Sequence, residues 1–270
     1  MIVFPNAKIN IGLNIVGKRT DGFHDIETIF YPIGLSDILE INNSGNDFEF
    51  SNTGIIVENG EKKQNLCYKA YNLLKENISA NPVHIHLHKI IPFGSGLGGG
   101  SSDASFTIKA INTLQNKNLK TLQLLNYTSK IGSDCPFFII NKPVFATGTG
   151  NVFEEIILNL ESYFLVVIYP GIHVNTAKAY SNCVPQKPIH CLKDIIQEPV
   201  KTWKNLVKND FEDFMFKEFP EIERIKLKLY SLGAEYASMS GSGSSVFGLF
   251  KKEADVKNHF PNYFVWNEKL

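Results

Sequence analysis

Pro92-Phe93-Gly94-Ser95-Gly96-Leu97-Gly98-Gly99-Gly100-Ser101-Ser102-Asp103-Ala104 is the stretch on which the reading of this chain turns. Five glycines stand in the seven positions from Gly94 to Gly100. Such a backbone reaches positive φ freely and lets a ligand approach closely. Upstream, Val83, Ile85 and Leu87 alternate with His84, His86 and His88, the period of a strand. Downstream, the pattern predicts a helix from Ser101 to about Leu114. Its first turn offers unpaired N–H groups and the positive end of the helix dipole. Strand, glycine loop and helix start together form a cradle for phosphate.

Two familiar nucleotide loops fail on this stretch. Gly94, Gly96 and Gly99 satisfy the dinucleotide fingerprint, which also needs an acidic residue about 20 positions on to hold the ribose. No Asp or Glu occurs between Asp103 and Asp134. A Walker A loop ends in Gly-Lys-Ser/Thr, and here Ser101-Ser102-Asp103 follows instead.

The composition narrows the setting. The chain has 270 residues, 43% hydrophobic and 20% charged, with a formal net charge of zero. That length suits one large domain or two moderate ones, and the neutral balance leaves no broad basic field for nucleic acid or an anionic membrane. Phosphate chemistry must then be local. Cys67, Cys135, Cys183 and Cys191 are scattered without a Cys-x-x-Cys pair, which argues against a zinc site or a disulfide framework and fits a reducing compartment. No apolar run approaches the ~20 residues needed to span a bilayer. With an opening segment unlike a signal or transit peptide, the expectation is a cytoplasmic enzyme.

Further elements follow from periodicity. Ile9, Ile11, Leu13 and Ile15 alternate with Asn10, Gly12 and Asn14, predicting a strand over 9–16 with Lys8 and Asn10 on its non-core face. A turn is expected over 18–22, then strands around Ile26 to Phe30 and Ile38 to Ile41. Asn65 reads as the cap of a helix carrying Leu66, Ala70, Leu73 and Leu74. Helices are predicted over 122–130, 203–216, 220–232 and 251–259, and strands at 164–169, on both sides of Gly241-Ser242-Gly243-Ser244, and at the end. This irregular interleaving favours an α+β fold, with the break in character near 148–162. Three imidazoles share one strand face at His84, His86 and His88, but no carboxylate stands near to complete a metal set.

The glycine stretch resembles the corresponding loop of the galactokinase, homoserine kinase, mevalonate kinase and phosphomevalonate kinase superfamily. Three other blocks extend the likeness over nearly the whole chain. They are Pro5-Asn6-Ala7-Lys8-Ile9-Asn10 with Asp21-Gly22-Phe23-His24, Ile131-Gly132-Ser133-Asp134-Cys135-Pro136-Phe137-Phe138, and Met239-Ser240-Gly241-Ser242-Gly243-Ser244-Ser245-Val246. Their order and spacing are most similar to the branch that acts on a cytidine diphosphate-linked polyol. The resemblance implies a two-domain α+β kinase. An N-terminal domain of ribosomal-protein-S5 type, residues 1–152, would meet a ferredoxin-like C-terminal domain, residues 153–270, at the active site.

Roles come with the resemblance, residue by residue. Lys8 corresponds to the catalytic lysine that stabilises charge on the transferring phosphoryl group. Asp134, by its own setting a turn or helix cap, corresponds to the base that takes the proton from the substrate hydroxyl, kept ionised by Lys8. ATP would be held by Asn65 and by Pro92, Phe93, Gly94, Ser95, Gly96, Leu97, Gly98, Gly99, Gly100, Ser101, Ser102 and Asp103. Asn10, Phe23, His24, Thr176 and Tyr180 would bind the substrate, with Phe23 and Tyr180 as walls around the cytosine. Phe23 stands where the family usually has Tyr, and Asn151, in Gly148-Thr149-Gly150-Asn151, where it usually has Glu. Mg²⁺ would accompany ATP, with its protein ligands open and Ser102 one option by analogy. A monomer or homodimer without nucleic-acid or membrane partners is implied. The rival readings are a kinase for another alcohol, such as homoserine or mevalonate, and a nucleotide-binding protein without catalysis. The late glycine block reads either as a hairpin turn or as a wall packed on the phosphate loop.

Overall fold

The computed structural model of the chain describes residues 1–45, 47–55 and 65–270. Among these the strands are β1 Ile2–Val3, β2 Asn6–Lys18, β3 His24–Ser36, β4 Ile38–Asn43, β5 Glu49–Gly54, β6 Val83–Lys89, β7 Val144–Thr147, β8 Val152–Glu155, β9 Phe164–Tyr169, β10 Tyr236–Met239, β11 Val246–Phe250 and β12 Phe264–Lys269. The helices are α1 Leu66–Ile78, α2 Gly99–Leu114, α3 Thr121–Ser129, α4 Phe137–Ile140, α5 Thr176–Ser181, α6 Leu192–Ile195, α7 Trp203–Leu206, α8 Glu212–Glu218 and α9 Pro220–Ser231. Mixed α and β content matches the α+β expectation.

The residues fall into two compact units that alternate along the chain. One comprises Met1–Ala7, Leu35–Phe93 and Gly98–Asn141; the other comprises Lys8–Gly34, Gly94–Leu97 and Lys142–Leu270. They alternate because β2 and β3 share a sheet with β7 and β8, so an early hairpin pairs with strands more than 100 residues later. We retain the linear division into 1–152 and 153–270 as a proposal about domain boundaries.

In the first unit the sheet order is β1-β4-β6-β5, with β4 antiparallel and β5 parallel to β6. The alternation read from sequence is kept: Val83, Ile85, Leu87 and Lys89 are buried while the histidines between them are half-buried. Leu39, Ile41, Ile85 and Leu87 join Ala70, Leu74, Ala104, Ile108 and Ile111 of α1 and α2 in one apolar cluster. Asn65 caps α1, its side-chain oxygen accepting from Cys67 N at 2.8 Å. Hydroxyls of Ser51 and Thr53 sit between the three histidine rings at 2.9–3.3 Å. The imidazoles are thus engaged in hydrogen bonds across the β5–β6 pair.

In the second unit β9 to β12 form an antiparallel sheet in the order β10-β11-β9-β12. Numbered from β9, this is the strand order of a ferredoxin-like domain. Ile222, Ile225 and Leu229, at helical spacing on α9, bury against Val166, Ile168, Ala237 and Val246.

Three expectations change. The helix read over 203–216 is broken between Leu206 and Glu212. There the backbone of Lys208 and Asp210 pairs with Leu13 of β2, at 2.8 Å in both directions, and tertiary pairing overrides local propensity. The helix read over 251–259 shrinks to a 3₁₀ turn at Lys257–His259. Its apolar anchors are Val256 and Phe260, partners too few to offset the cost of nucleating a helix. Finally, the polar face of β2 is buried: Lys8 and Asn10 are 3% and 2% exposed.

Candidate active site

Lys8 and Asn10 are neighbours on one face of β2 because side chains two residues apart project to the same side. The Lys8 ammonium donates to Asn10 Oδ1 and, at 3.2 Å, to the carbonyl of Gly96. It also lies 4.9 Å from the centre of the Phe30 ring. Asn10 is held in turn: its Nδ2 donates to Thr28 Oγ1 at 3.0 Å and its backbone N–H to Ser240 Oγ at 3.1 Å. A buried ammonium needs such partners to offset its lost hydration. The cation is thereby fixed against the glycine stretch.

Gly94–Leu97 pack on the late glycine block. Ser240 Oγ donates to the Gly96 carbonyl at 3.0 Å, and Ser245 N donates to the Ser95 carbonyl at 3.1 Å. Gly96 has φ +79°, and a Cβ there would stand 2.1 Å from the Ser240 carbonyl oxygen. Only glycine fits both the dihedral and the space. Both readings of the late block hold in part: it is the hairpin turn between β10 and β11, and it packs on Gly94–Leu97.

Pro92, Phe93 and Gly98–Asp103 belong to the first unit, where the stretch enters and leaves Gly94–Leu97. The helix begins at Gly99, two residues ahead of the predicted start, with Gly98 as its cap. Ser102 is fully buried and its hydroxyl has no hydrogen-bond partner. Such orphaned polar atoms are rare in folded proteins. This one stands in the first turn of a 16-residue helix, a position whose N–H groups can receive an anion.

Behind this helix start lies a buried charge cluster. Lys89 donates to Asp37 and, at 2.8 Å, to Asp103. Asp37 Oδ1 also accepts from Ile90 N at 2.5 Å and Ile91 N at 2.8 Å. Burial alone would lower the Lys89 ammonium, but Asp103 and Asp37 together leave it raised. Burial pushes the Asp103 carboxyl up to about 7; Lys89 opposes the rise and Asp37 adds to it. Asp103 Oδ1 is buried without a partner.

The predicted substrate residues group in part. His24 and Tyr180 stack on each other, ring centres 5.0 Å apart at 19°. Phe211 meets the Tyr180 ring edge-on at 4.9 Å. Phe23 instead projects outward, 65% exposed. Thr176 opens α5, its hydroxyl 3.0 Å from that of Ser242 in the late glycine block. Asp134 is half-buried in the turn before α4, its carbonyl accepting from Phe137 N at 3.2 Å. Thr149 Oγ1 donates to Asn151 Oδ1 in the turn between β7 and β8.

Sequence reasoning passed over Asp37, Lys89 and Asn209, and met Ser240 only as part of the late glycine block. Lys89 had a legible signal, being a lysine in phase with the apolar face of β6, where only a buried counter-ion would be tolerated. Ser240, Asn209 and Asp37 act through contacts 30 to more than 200 residues away, such as Asn209–Met239, Asp37–Ile90 and Asn10–Ser240. No local pattern announces these.

Residues 65–142 match the family described as GHMP kinases N terminal domain, and residues 191–263 match GHMP kinases C terminal. The chain is 52% identical over 272 residues to the 4-diphosphocytidyl-2-C-methyl-D-erythritol kinase of Parabacteroides distasonis, covering 100% of both chains. It is 41% identical to the protein of that name in Porphyromonas gingivalis, covering 98% of each. A crystal structure of 4-(cytidine 5'-diphospho)-2C-methyl-D-erythritol kinase superposes with a TM-score of 0.83 at 29% identity, over 99% of this chain and 98% of that one. Methanococcus jannaschii mevalonate kinase, at 17% identity over 99% and 97% of the two chains and a TM-score of 0.71, shares the fold. With its order of motifs and this agreement over its full length, the chain belongs to the 4-diphosphocytidyl-2-C-methyl-D-erythritol kinases of the GHMP kinase family.

Proposed function

We propose that the chain transfers the γ-phosphoryl group of ATP to the 2-hydroxyl of 4-diphosphocytidyl-2-C-methyl-D-erythritol, releasing ADP, in isoprenoid precursor synthesis by the non-mevalonate route. The observation that carries the chemistry is the buried Lys8 ammonium tied to the Gly96 carbonyl of the glycine stretch. The choice of alcohol rests on full-length relatives of that name.

Each residue then has a task. Backbone N–H groups at the start of α2 and the Ser102 hydroxyl bind phosphate oxygens. The Lys8 charge, already desolvated, opposes the negative charge that spreads over the phosphoryl oxygens in the transition state. Asp134 accepts the hydroxyl proton as the new O–P bond forms and the bond to the ADP oxygen breaks. A positioned base of this kind contributes ~10²–10⁴-fold. His24 and Tyr180 recognise the cytosine, Phe23 and Thr176 serve the same substrate, and Asn10 orients it next to Lys8. Asn65 and the remaining residues of the 92–103 stretch hold the nucleotide.

ATP carries Mg²⁺, which supplies charge neutralisation at the phosphates. Among the described residues no group of three His, Cys, Asp or Glu could cage a metal ion. That fits an ion bound mainly through nucleotide phosphates and water, with the buried Ser102 hydroxyl as the protein oxygen at hand. Among the described residues no helix is long and apolar enough to cross a membrane. On its scattered cysteines, which suit a reducing compartment, we assign the enzyme to the cytoplasm, as a monomer or homodimer.

Turnover measured side by side on 4-diphosphocytidyl-methylerythritol, homoserine and mevalonate tests the assignment. The first should be phosphorylated at least a hundredfold more efficiently. Preference for either of the others overturns it.

A further inference from the structure

Asn209 lies in the irregular segment that interrupts the helix expected over 203–216, and it is 2% exposed. Its Nδ2 donates to the carbonyls of Met239 and Gly241, both at 2.8 Å, while its Oδ1 accepts from Phe211 N at 3.0 Å. Every hydrogen-bonding direction used is internal. The backbone on either side is fixed to β2, where Leu13 N donates to the Lys208 carbonyl and Asp210 N to the Leu13 carbonyl.

Between the two carbonyls that Asn209 holds stands Ser240. Ser240 touches the Gly96 carbonyl and receives the Asn10 N–H. Gly241 closes the arrangement: a Cβ there would lie 3.2 Å from Asn10 Oδ1, 3.3 Å from the Gly96 carbonyl oxygen and 3.6 Å from Lys8 Nζ. The contacts form a ring from β2 through Asn209, the 239–241 turn and Gly96, and back to Lys8 and Asn10 on β2.

We propose that Asn209 is a positioning residue for phosphoryl transfer, holding the late glycine turn so that Gly96 and Lys8 keep their alignment. It touches neither reacting group. Among side chains of this length, only the amide offers two N–H donors and one acceptor on a single plane; aspartate lacks the donors and glutamine is a methylene longer. The inference rests on the kinase reading but not on which alcohol is used. A shift of about 1 Å in catalytic geometry costs roughly 10²-fold in rate.

The test measures kcat and KM for ATP with whichever alcohol the unaltered enzyme turns over, well below the unfolding temperature of each variant. Asn209→Ala should lower kcat by about 10- to 100-fold, with KM for ATP changed far less. Ile225→Val, a truncation in the α9 core, serves as the stability control and should leave kcat unchanged. Ser240→Ala removes one atom from the next link and should lower kcat about tenfold. It carries the test if Asn209→Ala is insoluble. The Asn209→Ala, Ser240→Ala double variant should lose less than the product of the single effects, as expected for residues acting through one element. Unchanged kcat in Asn209→Ala or Ser240→Ala, or full multiplication of their effects, overturns the proposal. A readout without turnover is a crystal structure of Asn209→Ala. Displacement of the Ser240 hydroxyl from the Gly96 carbonyl is expected, and an unmoved contact overturns the proposal. Absence of turnover in the unaltered enzyme would instead count against the function proposed above, and that structure would still decide the role of Asn209.

Discussion

The segments on either side of Gly94–Leu97 are braced by ion pairs among buried charges, whereas Gly94–Leu97 itself is braced through its carbonyls, by neutral donors and by the Lys8 ammonium. Lys89, Asp37 and Asp103 hold residues 89–91 and the first turn of α2. Ser240 and Ser245, with Asn209 behind Ser240, hold the middle of the glycine stretch through the carbonyls of Ser95 and Gly96. Charged bonds are stronger and also costlier to leave half made, because an unpaired buried ion keeps its full desolvation penalty. Charge therefore braces a position where the ions are paired, as Lys89 is by Asp37 and Asp103. Neutral bonds suit the part where, by the proposal above, the Lys8 charge acts on a substrate phosphate.

Breaking the charged brace should have the largest effect. Lys89→Met leaves the Asp37 and Asp103 carboxylates, 0% and 4% exposed, without their cation. Urea unfolding should show a loss of about 3–5 kcal/mol; a loss under ~1 kcal/mol would mean the cluster is not a brace. Asp37→Asn comes next. It removes the charge from the group that receives Lys89, Ile90 N and Ile91 N, and about 2–3 kcal/mol should be lost in the same assay.

Asp103→Asn should be mildest, within about 1 kcal/mol at neutral pH, because Asp37 still pairs Lys89. It sharpens the comparison through pH. Asp103 titrates at about 7 when folded, against 3.8 ordinarily. Between those values the folded chain holds a proton that the unfolded chain has released. Stability therefore falls as pH rises through that window, with the effect fully present above it. Thermal unfolding of Asp103→Asn from pH 4 to 8 should show a flatter pH dependence than the unaltered chain. An unchanged profile would place the sensitivity elsewhere.

How much of this was legible in the sequence follows the range of the interactions. The α+β class, the alternation of β6, the cap at Asn65 and the helix that starts from the glycine stretch depend on neighbours a few residues apart, and local patterns carried them. The helix over 203–216 failed because Leu13, nearly 200 residues earlier, takes the backbone of Lys208 and Asp210. The burial of Lys8 and Asn10 was hidden for the same reason, since β2 alone reads as a strand with one polar face. Asp37 and Asn209 carry no motif; their meaning lies in carbonyls and amides that only the folded chain brings near. The substrate side was legible only through resemblance, because nothing in the spacing of Phe23, His24 and Tyr180 spells cytosine.

The central claim, phosphoryl transfer from ATP with Asp134 as base, is tested most directly by label transfer from γ-labelled ATP to 4-diphosphocytidyl-methylerythritol. The measurement compares the unaltered enzyme with Asp134→Asn and follows ATP-analogue affinity in parallel. The account predicts one label incorporated per ADP released by the unaltered enzyme. In Asp134→Asn it predicts a loss of at least about 10²-fold, with analogue affinity unchanged within about threefold. Bound ATP without substrate-dependent ADP release in the unaltered enzyme, or Asp134→Asn turning over at full rate, would contradict it.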